Sequence, residues 1–227
     1  MSKSIVCSSI GKKLIMSISG LFLILFLVFH MSMNLTVVFS TEAYNMICEF
    51  LGANWYALAG TAVLALGVFV HFVYAFLLTL QNMKARGTQR YAVTKQPGHV
   101  EWASRNMFVL GLIVLGGLLL HLYNFWFNMQ FAEIIGVHDL GPFSPTDGAA
   151  YIQALFAQPV YCVIYLIWLA ALWFHLTHGF WSAIHTIGWN NQIWLGRLKV
   201  ISNIVATLIV LCFASIVVVF YIRSLIG

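Results

Sequence analysis

Long apolar runs alternate with short polar connections along this chain. Five runs stand out, at about 14–39, 55–83, 106–130, 158–187 and 198–222. Each supplies the roughly 20 residues a helix needs to cross a hydrocarbon core about 30 Å thick. In lipid the backbone must satisfy its own hydrogen bonds, so these runs are predicted as helices. The strand alternation of an outer-membrane barrel is missing. The first run, from Leu14 to about Phe39, is too long for a signal-peptide core and lacks a small-residue cleavage site, so a retained helix is expected. The longer runs are expected to tilt or to project beyond the bilayer. The predicted fold is all-α: one transmembrane domain over 1–227, with five spans, the first four forming a bundle.

Composition sharpens this picture. Of 227 residues, 62% are hydrophobic and 7% charged, with mean hydropathy +0.92, a balance that excludes a soluble globular domain. The formal net charge of +5 does not indicate nucleic acid, because its distribution is that of a membrane topology. Lys3, Lys12 and Lys13 precede span one; Lys84, Arg86, Arg90, Lys95 and Arg105 lie between spans two and three; Arg197 and Lys199 lie between spans four and five. Only Arg223 falls on the other side, whose connections carry Glu42, Glu49, Glu133, Asp139 and Asp147. The positive-inside rule then predicts a cytoplasmic N-terminus and an outer C-terminus. Trp55, Tyr56, Tyr123, Trp126, Tyr161 and Tyr221 would mark the outer interface, and Trp102, Trp189 and Trp194 the inner one. Segment 131–157 is the longest outer connection, expected as a structured loop or short surface helix with turns at its prolines and glycines. Cys7, Cys48, Cys162 and Cys212 are scattered and form no CxxC pair, which argues against a disulfide framework or an iron–sulfur site.

The chemistry on offer is imidazole. His99 and His138 fall in connections, whereas His30, His71, His121, His175, His178 and His185 lie within spans. Ionisable groups inside a membrane are expensive and point to function. Singly, each is equally well an interhelical hydrogen bond; together, histidines near the middle of spans one to four, with none in span five, suit a metal or haem site in a bundle core. A bare metal ion is less attractive, since such sites usually recruit carboxylates, and no Asp or Glu lies deep in any span. Haem needs two axial ligands and an apolar slot, so four histidines would serve two haems. Ser17, Gly20, Gly60, Gly67, Gly111, Gly116, Gly117 and Gly179 are small enough to make room for flat rings, or simply for close helix packing.

Depth orders the four. At about 1.5 Å per residue, His30 lies roughly 26 Å from Lys13, and His121 roughly 24 Å from Arg105. His71 lies about 26 Å from Asn54 and His175 about 26 Å from Gln158, both measured from the outer side. His30 and His121 thus share an outer level, and His71 and His175 an inner one. His178 would sit about 4.5 Å further inward than His175, about 60° around the helix, and depth does not choose between them.

With these residues in view, the sequence resembles the cytochrome b membrane anchor of succinate dehydrogenases and fumarate reductases, in its single-subunit, five-helix, di-haem form. The resemblance covers essentially the whole chain and rests on "FLVFHMSMN" around His30, "VHFVYAFLLT" around His71, "GGLLLHLYNFW" around His121 and "FHLTHGFW" around His175, in that order. It implies His30 and His121 as ligands of an outer haem b, and His71 and His175 as ligands of an inner one. The family's fourth segment reads histidine, three residues, glycine, then an apolar and an aromatic residue. His175, Gly179, Phe180 and Trp181 fit that frame, leaving His178 to line the haem pocket, hydrogen-bond or contact quinone.

The resemblance further implies a quinone-reactive electron-transfer subunit, not itself catalytic for succinate or fumarate. It would anchor a flavoprotein subunit and an iron–sulfur subunit at the cytoplasmic face of a bacterial inner membrane, with menaquinone as the expected quinone. The basic connection 84–105 would face the iron–sulfur subunit, and His185, Trp189 and Arg105 are inner-side candidates for haem propionate or partner contacts. Glu49 is the candidate acceptor of a quinol proton, or a solvated loop carboxylate. Some members carry a glutamate two positions before the fourth ligand, linked with transmembrane proton movement; Trp173 stands there, which puts that route in question. The alternatives are a di-haem subunit of another membrane dehydrogenase or hydrogenase, and a histidine-based transporter, for which matching helix breaks are missing.

Overall fold

The computed structural model describes residues 8–86, 102–137, 140–189 and 191–227. Lys3, Cys7, Arg90, Lys95, His99, His138 and Asp139, with most of the basic connection after span two, lie outside the described residues. Among the described residues five helices are long and apolar enough to cross a membrane, and no strand is present. The chain is a multi-pass membrane protein. The spans are α1 (Ser9–Phe39), α3 (Trp55–Arg86), α4 (Trp102–His121) with its continuation to Ile134, α7 (Pro159–Thr186) and α8 (Gln192–Ile226).

Most of these helices outrun their apolar cores. α1 starts at Ser9 rather than 14, because Ser8 caps it, accepting a hydrogen bond from the Gly11 amide at 3.0 Å. α8 starts at Gln192 rather than 198, because Asn191 accepts from the Trp194 amide at 2.8 Å and so caps a polar first turn. Hydropathy reports the stretch that prefers lipid, whereas caps decide where a helix ends.

Two further helices lie at one end of the bundle. α2 (Thr41–Phe50) was not anticipated, and only Ser40 separates it from α1. Ser40 is extended, at φ −153° and ψ 116°, and its hydroxyl accepts from the Ala43 amide at 3.1 Å. α6 (Gly148–Phe156) occupies the connection where a structured loop or surface helix was expected. Asn45 joins the two: its amide donates to Asp147 Oδ1 at 2.7 Å, and its carbonyl accepts from the Ala149 amide at 2.9 Å. Asp147 also caps α6, accepting from the Ala150 amide at 3.1 Å.

Immediately after His121 the helix widens into i→i+5 bonding over Leu122–Phe131, here called π1, before α5 (Ala132–Ile134) closes the span. Its asparagines fit this wider turn. Asn128 donates to the carbonyls of Tyr123 and Asn124, at 3.0 and 3.2 Å, and Asn124 donates to the Tyr165 hydroxyl of α7 at 3.1 Å. Gln130 fastens π1 to the start of α3, accepting from Thr61 and Trp126 at 2.9 Å each and donating to the Gly52 carbonyl at 2.9 Å.

α7 is the central helix, packed along α8, α4 and α1, and α1 also packs along α3 and α8. The histidine-free α8 is an integral wall, with Ala206, Ile209, Val217 and Phe220 all buried. Trp173 of α7 donates from Nε1 to Thr207 of α8 at 2.9 Å, and Arg223 donates to the Val38 carbonyl of α1 at 3.0 Å. α3 rests mainly on α1 and meets α4 over a short stretch, and none of its described side chains is buried.

Candidate paired-histidine site

The histidines of four spans meet in two pairs. His30 of α1 and His121 at the end of α4 have ring centres 5.8 Å apart with planes at 88°. His71 of α3 and His175 of α7 have ring centres 6.3 Å apart with planes at 69°. These are the two couples that shared a level by depth. His178, which depth left open, makes its ring contact with Trp181 at 5.1 Å. Of the two histidines of "LWFHLTHGFW", His175 is the one in ring contact with His71.

Each pair is asymmetric in its hydrogen bonding. His71 Nδ1 lies 3.3 Å from the hydroxyl of Ser19, a buried residue of α1. His30 has Asn34 one helical turn on, with the amide nitrogen 2.8 Å from the His30 carbonyl and 3.3 and 3.4 Å from the two ring nitrogens. The Asn34 carbonyl oxygen accepts from the Tyr44 hydroxyl of α2 at 3.0 Å. Burial, with Cys48 alongside, holds the Tyr44 phenol well above its usual range, so it remains a donor. The opposite members of the pairs differ: Nδ1 of His121 and Nδ1 of His175 are enclosed and have no hydrogen-bond partner among the described residues. An unsatisfied buried polar atom costs of order 1–3 kcal/mol, so these two rings occupy sites that packing alone would not favour.

Aromatic rings enclose the first pair. Phe26 stacks on His30 at 5.3 Å, Phe213 of α8 approaches it at 5.8 Å, and Phe125 and Trp168 stand 5.1 and 5.8 Å from His121. Glycines line the second. A Cβ on Gly20 would come within 3.2 Å of His71 Cε1, and one on Gly111 within 3.7 Å of His175 Cε1. The other small residues serve packing or open space: Gly117 lies under the Trp168 ring, Gly67 against Phe22 and Gly179 against Met107, while Gly60 and Gly116 face nothing within 4 Å.

The remaining candidates stand apart from both pairs. Glu49 is exposed on α2, in a polar cleft of about 470 Å³ that it shares with Glu42, Asn45 and Asp147. His185, Trp189 and Arg105 are exposed at the opposite end, and His185 stands 6.4 Å from Trp181. Sequence reading missed Ser19, Asn34 and Phe213. The i,i+4 step from His30 to Asn34 was the one signal available; Ser19 and Phe213 act across helices, where spacing carries no sign of them.

The donor set fits a metal bound between two imidazoles. Each couple would offer such an ion one imidazole from each of two spanning helices, with ring centres 5.8 and 6.3 Å apart. Among the described residues no three His, Cys, Asp or Glu side chains gather as a metal cage, so the geometry is two by two. Compared with protein-family models, curated proteins and solved structures, the chain matches none.

Proposed function

We propose that the chain is a di-haem cytochrome b membrane anchor of the succinate:quinone oxidoreductase type, with His30 and His121 holding one haem b and His71 and His175 the other. The observation that carries this reading is the pair of imidazole couples, each drawn from two different spanning helices and each with ring centres near 6 Å. When bound, such haems supply one-electron transfer at potentials set by their ligands and surroundings. The protein's own part is to hold the imidazoles neutral and oriented. Apolar and aromatic walls exclude water around His30 and His121, Tyr44 and Asn34 brace the His30 side, and Gly20 and Gly111 let the second pair sit close to α1 and α4.

In this reading the chain lies in a bacterial inner membrane with its N-terminus cytoplasmic. It passes electrons between a membrane quinone, menaquinone being the expected one, and an iron–sulfur subunit carrying a flavoprotein subunit. The sign of the loop charges supports that orientation. A reduced-minus-oxidised optical spectrum of the purified chain tests the reading. A haem b band with two haems per chain is expected; no haem b band would overturn it. Co-purification of a flavin- and iron–sulfur-containing pair of subunits is expected from the native membrane.

A further inference from the structure

We propose that Ser19 is a positioning residue for His71, fixing the tautomer that leaves Nε2 as the ligating nitrogen; this rests on the haem reading above. A serine hydroxyl has one proton to give. Ser19 spends it on the Met16 carbonyl, 3.0 Å away within α1. With that proton on Met16, the same oxygen accepts from His71 Nδ1 at 3.3 Å, and the Met16 carbonyl also hydrogen-bonds the His71 ring, an arrangement that suits the tautomer with its proton on Nδ1. A neutral imidazole protonated there has its lone pair on Nε2.

The surroundings hold this arrangement in place. Ser19 is buried at 7% exposure, so little water competes for its oxygen. The neighbouring Gly20 leaves the ring room against α1, where a side chain would crowd Cε1. α1 thus controls a histidine that belongs to α3. Among the described residues the partner ring has no equivalent, since Nδ1 of His175 is enclosed without a hydrogen bond. An acceptor on the distal ring nitrogen orients a ligating histidine and raises its basicity. A more basic ligand favours the oxidised iron, which lowers the potential.

The test compares Ser19→Ala with Ser19→Thr in the full chain, reading haem retention and the midpoint potential of each haem. Threonine keeps a hydroxyl able to bond the carbonyl three or four residues back, so it should preserve the wild-type values. Alanine should raise the potential of the His71–His175 haem and weaken its retention by about 10- to 100-fold, leaving the His30–His121 haem unmoved. His71→Ala identifies which haem is which. The proposal is overturned if Ser19→Ala changes neither quantity, moves both haems together, or is matched by Ser19→Thr. A wild-type chain without haem b fails at the earlier step and removes the premise, an outcome separate from each of these.

Discussion

His71 and His175 face each other at 6.3 Å although the helix carrying His71 leans chiefly on α1, and the helix carrying His175 is the hub of the bundle. The same α1 that supports α3 also carries His30, so one helix borders both pairs from its two halves. Four histidines on four helices thereby become two local couples rather than one diffuse polar core.

Removing one histidine should therefore affect one couple. His30→Ala or His121→Ala is expected to remove the first haem and spare the second, and His71→Ala or His175→Ala the reverse. Haem content by pyridine haemochrome, with a redox titration to identify the haem that remains, checks this. Loss of the same haem from His30→Ala and His71→Ala contradicts the arrangement. His178→Ala should retain both haems, because His175 is the ring that meets His71.

Gly117 supports the wall beside His121. A side chain there would run into the Trp168 ring, whose Nε1 donates to the Val114 carbonyl at 3.0 Å. Gly117→Ala should cost about 1–3 kcal/mol by overpacking, read as a lower thermal midpoint in detergent. Gly116→Ala, at a position open to 4 Å, should be near neutral. Equal effects from the two would mean that Trp168 yields freely.

Trp173 ties α7 to α8 through Thr207. Interhelical hydrogen bonds in membranes average only about 0.6 kcal/mol and rarely exceed about 1.7 kcal/mol. Trp173→Phe, which keeps the ring and removes the donor, should lower stability by no more than that. A larger loss in a denaturant titration would assign Trp173 a role beyond this bond.

Cys48 should resist alkylation. Burial pushes its thiol up to about 11, and only the thiolate is nucleophilic. At pH 7.5 iodoacetamide should leave Cys48 unmodified in the folded chain, with the rate climbing as pH approaches 11. The linkage has a definite sign: a thiol held above its usual 9.0 favours the folded state at lower pH. That contribution fades as pH rises from 9 towards 11. Mass spectrometry of the α2 peptide after labelling across this range checks it.

The five spans and the grouping of His30 with His121 and of His71 with His175 were legible, because hydropathy and the 1.5 Å rise both measure depth. Rotation about each helix axis was not. Ser19 and Phe213 meet histidines of other helices, a relation fixed by packing rather than by spacing. α2 was missed because "TEAYNMICEF" is too polar to read as a span and too short to show a period, while its cap, Ser40, looks like any loop serine. π1 was missed because nothing in "LYNFWFNMQF" distinguishes i→i+5 from i→i+4 bonding until Asn124 finds Tyr165.

The exposed flank of α3 has a consequence for how the two couples fluctuate. No described side chain of α3 is buried, and lipid tails replace its outer contacts without a hydrophobic penalty. Small excursions of this helix therefore cost less than those of α7 or α8, which are clasped on several sides. His71 travels with α3, whereas His30, His121 and His175 ride on the clasped remainder. One couple is therefore built across the helix with no buried side chain among the described residues, and the other between helices that each carry some.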